Sequence, residues 1–115
     1  MGKFTPSRIK VNSLVYEQGA DLTIATGVIT ITHSNHRLIG QGNASDDLVT
    51  INGAKGIGQM LILRKAGGAT GTMTVKDASD NINSVGDRAL SNDKDTIILI
   101  WNGIAWCELS YANNV

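Results

Sequence analysis

His33 and His36 stand three apart in Thr32-His-Ser-Asn-His36, and two imidazoles at short spacing are a common beginning of a transition-metal site. On a helix that spacing would put both rings on one face. On a strand an odd separation sends them to opposite faces, and no cysteine or carboxylate lies close by in sequence, so the pair reads as surface or turn histidines. A histidine beside the axis of an oligomer would still be placed to share a metal or halide between subunits. A second oxygen-rich stretch, Asp77-Ala-Ser-Asp80-Asn-Ile-Asn83, with Asp93 and Asp95 further on, offers calcium-type ligands. It lacks the regular spacing and closing bidentate Glu of an EF-hand, and Asx turns explain it at least as well.

Three other patterns fail on their chemistry. Gly53-Ala-Lys-Gly-Ile-Gly58-Gln59 imitates the opening of a phosphate loop. The Lys and Ser/Thr that should follow the last Gly are missing, and no helix signal comes next. Cys107 is the single cysteine, so no intrachain disulfide exists, and its place between Trp106 and Glu108 suits a small buried hydrophobe. No Ser-His-Asp or Cys-His set has a local signature, and no carboxylate pair sits in an apolar context. The chain is expected not to be an enzyme and to need no cofactor and no metal.

The elements that must carry these residues are strands. Asp95-Thr-Ile-Ile-Leu-Ile-Trp101-Asn-Gly-Ile-Ala-Trp106-Cys-Glu-Leu-Ser110 reads as a β-hairpin, with Asn102-Gly103 expected in a type I′ turn. Its first run, Ile97 to Trp101, is apolar on both faces and must be covered on both sides, by a second sheet and by a neighbouring element or subunit. Upstream, Asp21 to Ala25 and Val28 to Thr32 are expected to pair as a hairpin around Thr26-Gly27. Further strands are expected over Arg8–Tyr16, His36–Gly40, Asp47–Ile51, Gln59–Lys65 and Thr72–Lys76, with a weaker one inside Asn81–Leu90. Helix periodicity is nearly absent. Many short strands between Gly-rich turns predict an all-β, single-domain antiparallel β-sandwich, jelly-roll-like, over residues 17–115.

Composition narrows the function classes. At 115 residues the chain is one domain, and its 4% aromatic content leaves the core to Ile, Leu, Val and Met. Such a thin core often gains stability from an oligomer. Formal net charge is +0, and the basic residues are scattered without interleaved aromatics, which predicts no nucleic-acid binding. No apolar run spans a bilayer and no signal-peptide h-region opens the chain, which predicts a soluble product made in a reducing cytoplasm.

Residues 1–16 differ in character. They carry Lys3, Arg8 and Lys10 with no acidic residue before Glu17, and they hold Phe4, the only phenylalanine. The bland reading is a solvated chain start; the functional one is a basic docking arm anchored by Phe4.

Several segments in order resemble a β-domain of tailed-bacteriophage virion structural proteins. They are Leu22-Thr-Ile-Ala-Thr-Gly-Val-Ile-Thr-Ile-Thr32 with His36, Asp46-Asp-Leu-Val-Thr-Ile-Asn-Gly53, Gly58-Gln-Met-Leu-Ile-Leu-Arg64, Val75-Lys-Asp77, Asn81-Ile82, Asp95–Gly103 and Trp106-Cys-Glu-Leu-Ser110. The resemblance implies a non-enzymatic domain exposed on the virion, typically trimeric. Because only a short basic arm precedes the domain, the expectation is a homotrimeric capsid decoration (cement) protein on the outer capsid surface. It would be bound to the major capsid protein through Lys3, Phe4, Arg8 and Lys10. The alternative is a fibre-tip or receptor-binding module contacting host surface glycans or proteins, with Trp101, Trp106 and Tyr111 as recognition residues, although core packing is the commoner fate of Trp.

Overall fold

A computed structural model of the chain describes residues 10–114. Among the described residues, eleven short strands and one 3₁₀ turn (Gln41–Asn43) make up the regular structure. The strands are β1 (Leu22–Thr23), β2 (Val28–Thr30), β3 (Asn35–Ile39), β4 (Asp46–Leu48), β5 (Thr50–Asn52), β6 (Met60–Lys65), β7 (Met73–Val75), β8 (Ile82–Asn83), β9 (Arg88–Leu90), β10 (Thr96–Trp101) and β11 (Trp106–Ala112). The all-β expectation holds. The antiparallel jelly roll does not: of eight strand pairings, five are parallel.

The parallel pairs arise because the chain winds. In the six-stranded sheet the order is β1-β3-β6-β10-β11-β8, and β1, β3 and β6 run parallel to one another. After each of these strands the chain crosses to another sheet before returning. It visits β2 in the first circuit, β4 then β5 in the second, and β7 in the third. β5 lands parallel to β2, and β7 parallel to β4, one circuit later. The result is a short solenoid of stacked circuits. β9, β10 and β11 then reverse direction, pairing antiparallel with β7, β6 and β10.

Alternation fixes the core. β6 and β10 bury every second residue, so Leu61, Leu63, Ile97 and Leu99 point inward and are fully buried. They meet Ile24, Leu38, Leu48, Ile51, Met73, Val75, Ile82, Leu90 and Trp106 in one cluster. These are Ile, Leu, Val and Met with a single Trp, as the composition requires.

Several local expectations change. Ala25 and Val28 exchange both backbone hydrogen bonds at 3.0 Å across Thr26 and Gly27, and both of these residues take positive φ, as a primed turn demands. The turn forms, but the flanking strands do not zip: β1 pairs with β3 and β2 with β5, in different sheets. The expected Asp47–Ile51 strand is two strands that break at Val49 as the chain passes between sheets. The C-terminal hairpin is present, but its connection is longer than two residues. Asn102 N–H donates to Ala105 C=O, only Gly103 has positive φ, and Asn102 Oδ1 accepts from the N–H groups of Ile104 and Ala105 at 2.8 Å each. An Asx-type cap has replaced the type I′ turn. Of the expected strand Arg8–Tyr16, Arg8 and Ile9 lie outside the described residues, and 10–16 form no strand.

Candidate functional site

His36 is fully buried at the start of β3. Its Nε2 accepts from the N–H groups of Thr32 and His33, both at 3.0 Å, so its proton sits on Nδ1, which donates to Ala20 C=O at 2.8 Å. Both ring nitrogens are occupied by backbone, and the imidazole pins the turn before β3 to the chain entering β1. His33 stands beside it, ring centroids 5.8 Å apart, with Nδ1 on Thr32 Oγ1 and Nε2 3.9 Å from Glu17. The sequence reading of surface or turn histidines fits His33; His36 is a core residue, which spacing alone did not reveal.

The oxygen-rich loop is also consumed by structure. Asp77 Oδ1 accepts from Ser84 N–H and Asp80 Oδ2 from Thr50 Oγ1, while Asn83 is exposed on β8. Asp87 takes Lys76 Nζ at 2.6 Å and the N–H of Asp77 at 2.9 Å. Among the described residues no three of His, Cys, Asp and Glu gather as a metal site would require.

Two carboxylates carry the distinctive electrostatics. Asp95 is fully buried at the head of β10. Burial opposes its ionisation, but N–H groups of Ser91, Asn114 and Asn92 converge on it and hold its carboxyl below the usual range. Glu108 is matched in a fork by Arg88, Nε to Oε1 at 2.7 Å and an η nitrogen to Oε2 at 2.9 Å. That bond, opposed by burial and helped by Val85 N–H, pulls the Glu108 carboxyl down. Arg88 also lies 4.8 Å over the ring of Tyr111, whose hydroxyl donates to Ala89 C=O at 2.6 Å.

The expected recognition residues are therefore engaged internally. Trp106 is fully buried and donates Nε1–H to Ile51 C=O at 3.3 Å; Trp101 packs against it at 5.3 Å between ring centroids; Tyr111 is half-buried under Arg88. Cys107 is half-buried rather than interior. Of the expected docking arm, Lys3, Phe4 and Arg8 lie outside the described residues, and Lys10 is exposed.

What stays available is apolar surface on the outward side of the six-stranded sheet. Register places Met60, Ile100 and Cys107 in one row and Ile62, Ile98 and Ser110 in the next; Ser110 is exposed and the others are half-buried. Leu109, displaced by a bulge between Ile98 and Leu99, is exposed beside them. The unbroken apolar runs Met60–Leu63 and Ile97–Trp101, apolar on both faces, were the signal for this face.

No curated protein matches the chain. Residues 37–107, more than half of its length, match the family described as phage depolymerase C-terminal beta sandwich domain. The matched span runs from β3 to the start of β11 and so holds most of the core, including Leu38, Leu61, Leu99 and Trp106. The chain belongs to the phage depolymerase C-terminal beta sandwich domain family and is a phage virion structural β-domain.

Proposed function

We propose that this domain is a rigid, non-catalytic fibre-type module of a phage tail assembly, set at the host-facing end, where it contacts host surface glycans or proteins. Membership in a family named for the C-terminal part of depolymerases carries the reading. The fold agrees with an end module: stacked parallel circuits run into an antiparallel hairpin that turns the chain back on itself. Contact would use backbone loops and the outward sheet face, since Trp106 is buried and Tyr111 is held by Arg88.

Capsid decoration is the weaker reading. It rested on the arm, of which only Lys10 is described, and the family points to the tail.

Gold-labelled antibody against the domain, applied to intact virions under electron microscopy, tests the proposal. Label confined to tail or fibre ends in few copies is expected. Label spread over the head would overturn it and restore the decoration reading. The purified domain is expected to release no new reducing ends from host surface polysaccharide; release would contradict the non-catalytic role.

A further inference from the structure

We infer that Asn102, at the tip of the β10–β11 hairpin, is a self-modifying site. The fold prepares its carboxamide for attack by the backbone nitrogen of Gly103, so that residue 102 converts to aspartate and isoaspartate with loss of ammonia. The chain holds two Asn-Gly pairs, Asn52-Gly53 and Asn102-Gly103, and the structure treats them differently. This chemistry does not depend on where the domain sits in the virion.

At Asn102 the turn prepares each reacting group. Oδ1 accepts from the N–H groups of Ile104 and Ala105, both at 2.8 Å. The bond to Ile104 closes a ring that runs through the side chain and the peptide nitrogen of Gly103. That ring folds the carboxamide carbon back toward the nitrogen that must attack it. The same two N–H groups polarise the carbonyl and face the oxygen on which negative charge gathers during the attack. The leaving side is held loosely: Nδ2 donates at 3.5 Å to the weak acceptor Cys107 Sγ. Gly103 N–H has no acceptor among the described residues, and Gly103 brings no Cβ to crowd the reacting centre. Asn102 and Gly103 are both exposed, so water and base reach them.

Asn52 lacks this preparation. It ends β5, where its C=O accepts from Ile31 N–H at 2.9 Å. Gly53 is pressed against Ile31, since a Cβ there would lie 2.5 Å from the Ile31 carbonyl oxygen. Closing a ring at Asn52 would have to turn a peptide that the ladder to β2 holds in place.

The reaction balances with water alone. Gly103 N gives its proton to solvent base and bonds to Asn102 Cγ. The Cγ–Nδ2 bond breaks, and ammonia leaves with a proton taken from water. Water then adds to either carbonyl of the succinimide, and ring opening gives aspartate or isoaspartate. Nothing is oxidised or reduced. The product puts a negative charge on a hairpin tip, 102–105, that has none, and the isoaspartate form lengthens the connection between β10 and β11.

The test is to age the full chain in mildly alkaline buffer, folded and in parallel in urea, and then to digest it with trypsin. Cleavage after Lys and Arg puts Asn52 in fragment 38–55 and Asn102 in fragment 95–115. In the folded chain, fragment 95–115 is expected to gain the mass of an amide-to-acid conversion on the order of tenfold faster than fragment 38–55. Isoaspartate in it should be detected by methyltransferase labelling. In urea the two rates should converge, because neither the turn nor the ladder survives there. Asn102→Gln, whose longer side chain cannot close the same ring, should abolish the gain in fragment 95–115. A gain that persists in that variant belongs to Asn113 or Asn114 and overturns the assignment. So does a folded chain in which Asn102 stays intact or converts no faster than Asn52. A preference undiminished in urea would owe nothing to the turn and would equally overturn it.

Discussion

Asn81 grips the backbone of Ile51 with both ends of its side chain: Oδ1 accepts from Ile51 N–H at 2.9 Å, and Nδ2 donates to Ile51 C=O at 2.7 Å. β5 lies at the edge of its two-stranded sheet, and the third circuit supplies no strand to pair with it. A single carboxamide, which has the same donor and acceptor as a peptide group, stands where that strand would be.

Replacing Asn81 removes the surrogate partner. Ile51 is 1% exposed, so its N–H would be left without water. Asn81→Ala is expected to cost about 2 kcal/mol, the scale of an unsatisfied buried donor, read from urea denaturation midpoints. Asn81→Asp keeps the acceptor but loses the donor to Ile51 C=O, and should cost less than Asn81→Ala at neutral pH. An unchanged midpoint in Asn81→Ala would refute the role.

Asp95 ties the chain's end to the turn before β10, through Asn114 N–H on one oxygen and Ser91 and Asn92 on the other. Its folded pKa lies below its unfolded value of about 4. Folding therefore favours the ionised form. The stabilisation is fully present above the unfolded pKa and is lost as pH falls toward the folded one. Stability is expected to be flat from neutral pH to about pH 5 and to drop below pH 4. Asp95→Asn should lower stability at pH 7 and shrink that acid slope; a full slope in the variant would assign the acid loss elsewhere.

Arg88 and Glu108 share one fork, and Arg88 also stacks on Tyr111. Arg88→Lys keeps charge but gives up the planar fork and the stacking, and is expected to lower the melting temperature. Glu108→Gln/Arg88→Ala should destabilise by less than the sum of the single changes, since removing Arg88 alone strands a nearly buried carboxylate. Strict additivity in a double-mutant cycle would show the pair to be uncoupled.

Gly53 sits at φ 102°, and a Cβ there would lie 2.5 Å from Ile31 C=O oxygen. Gly53→Ala therefore combines backbone strain with a clash against backbone, at a cost of about 2–3 kcal/mol. Gly56 has open space around it and no positive φ, so Gly56→Ala should be neutral or slightly stabilising. Equal thermal shifts for the two variants would contradict the geometry.

The sequence alone determined what is local. Ile97 to Trp101 was legible as a strand covered on both sides from a run apolar on both faces, Trp106 as core from residue type, and Asn102-Gly103 as a hairpin connection; that Ile97 and Leu99 face inward and Ile98 and Ile100 outward was decided by the structure. The resemblance to phage virion β-domains was carried by the number and order of such segments, and the family match supports it. Tertiary structure decided the rest. A strand's sequence states which side chains alternate, but its pairing direction depends on where the chain returns. Val28–Thr30 thus lies parallel to β5, some twenty residues on, despite a well-formed turn that invites an antiparallel partner. The same holds for polar roles. His36, Asp95 and Asn81 look in sequence like turn residues. Each instead makes a bond that only the fold brings within reach, His36 to Ala20 C=O, Asp95 to Asn114 N–H and Asn81 to Ile51 N–H, because a buried polar group takes whichever partner the fold delivers.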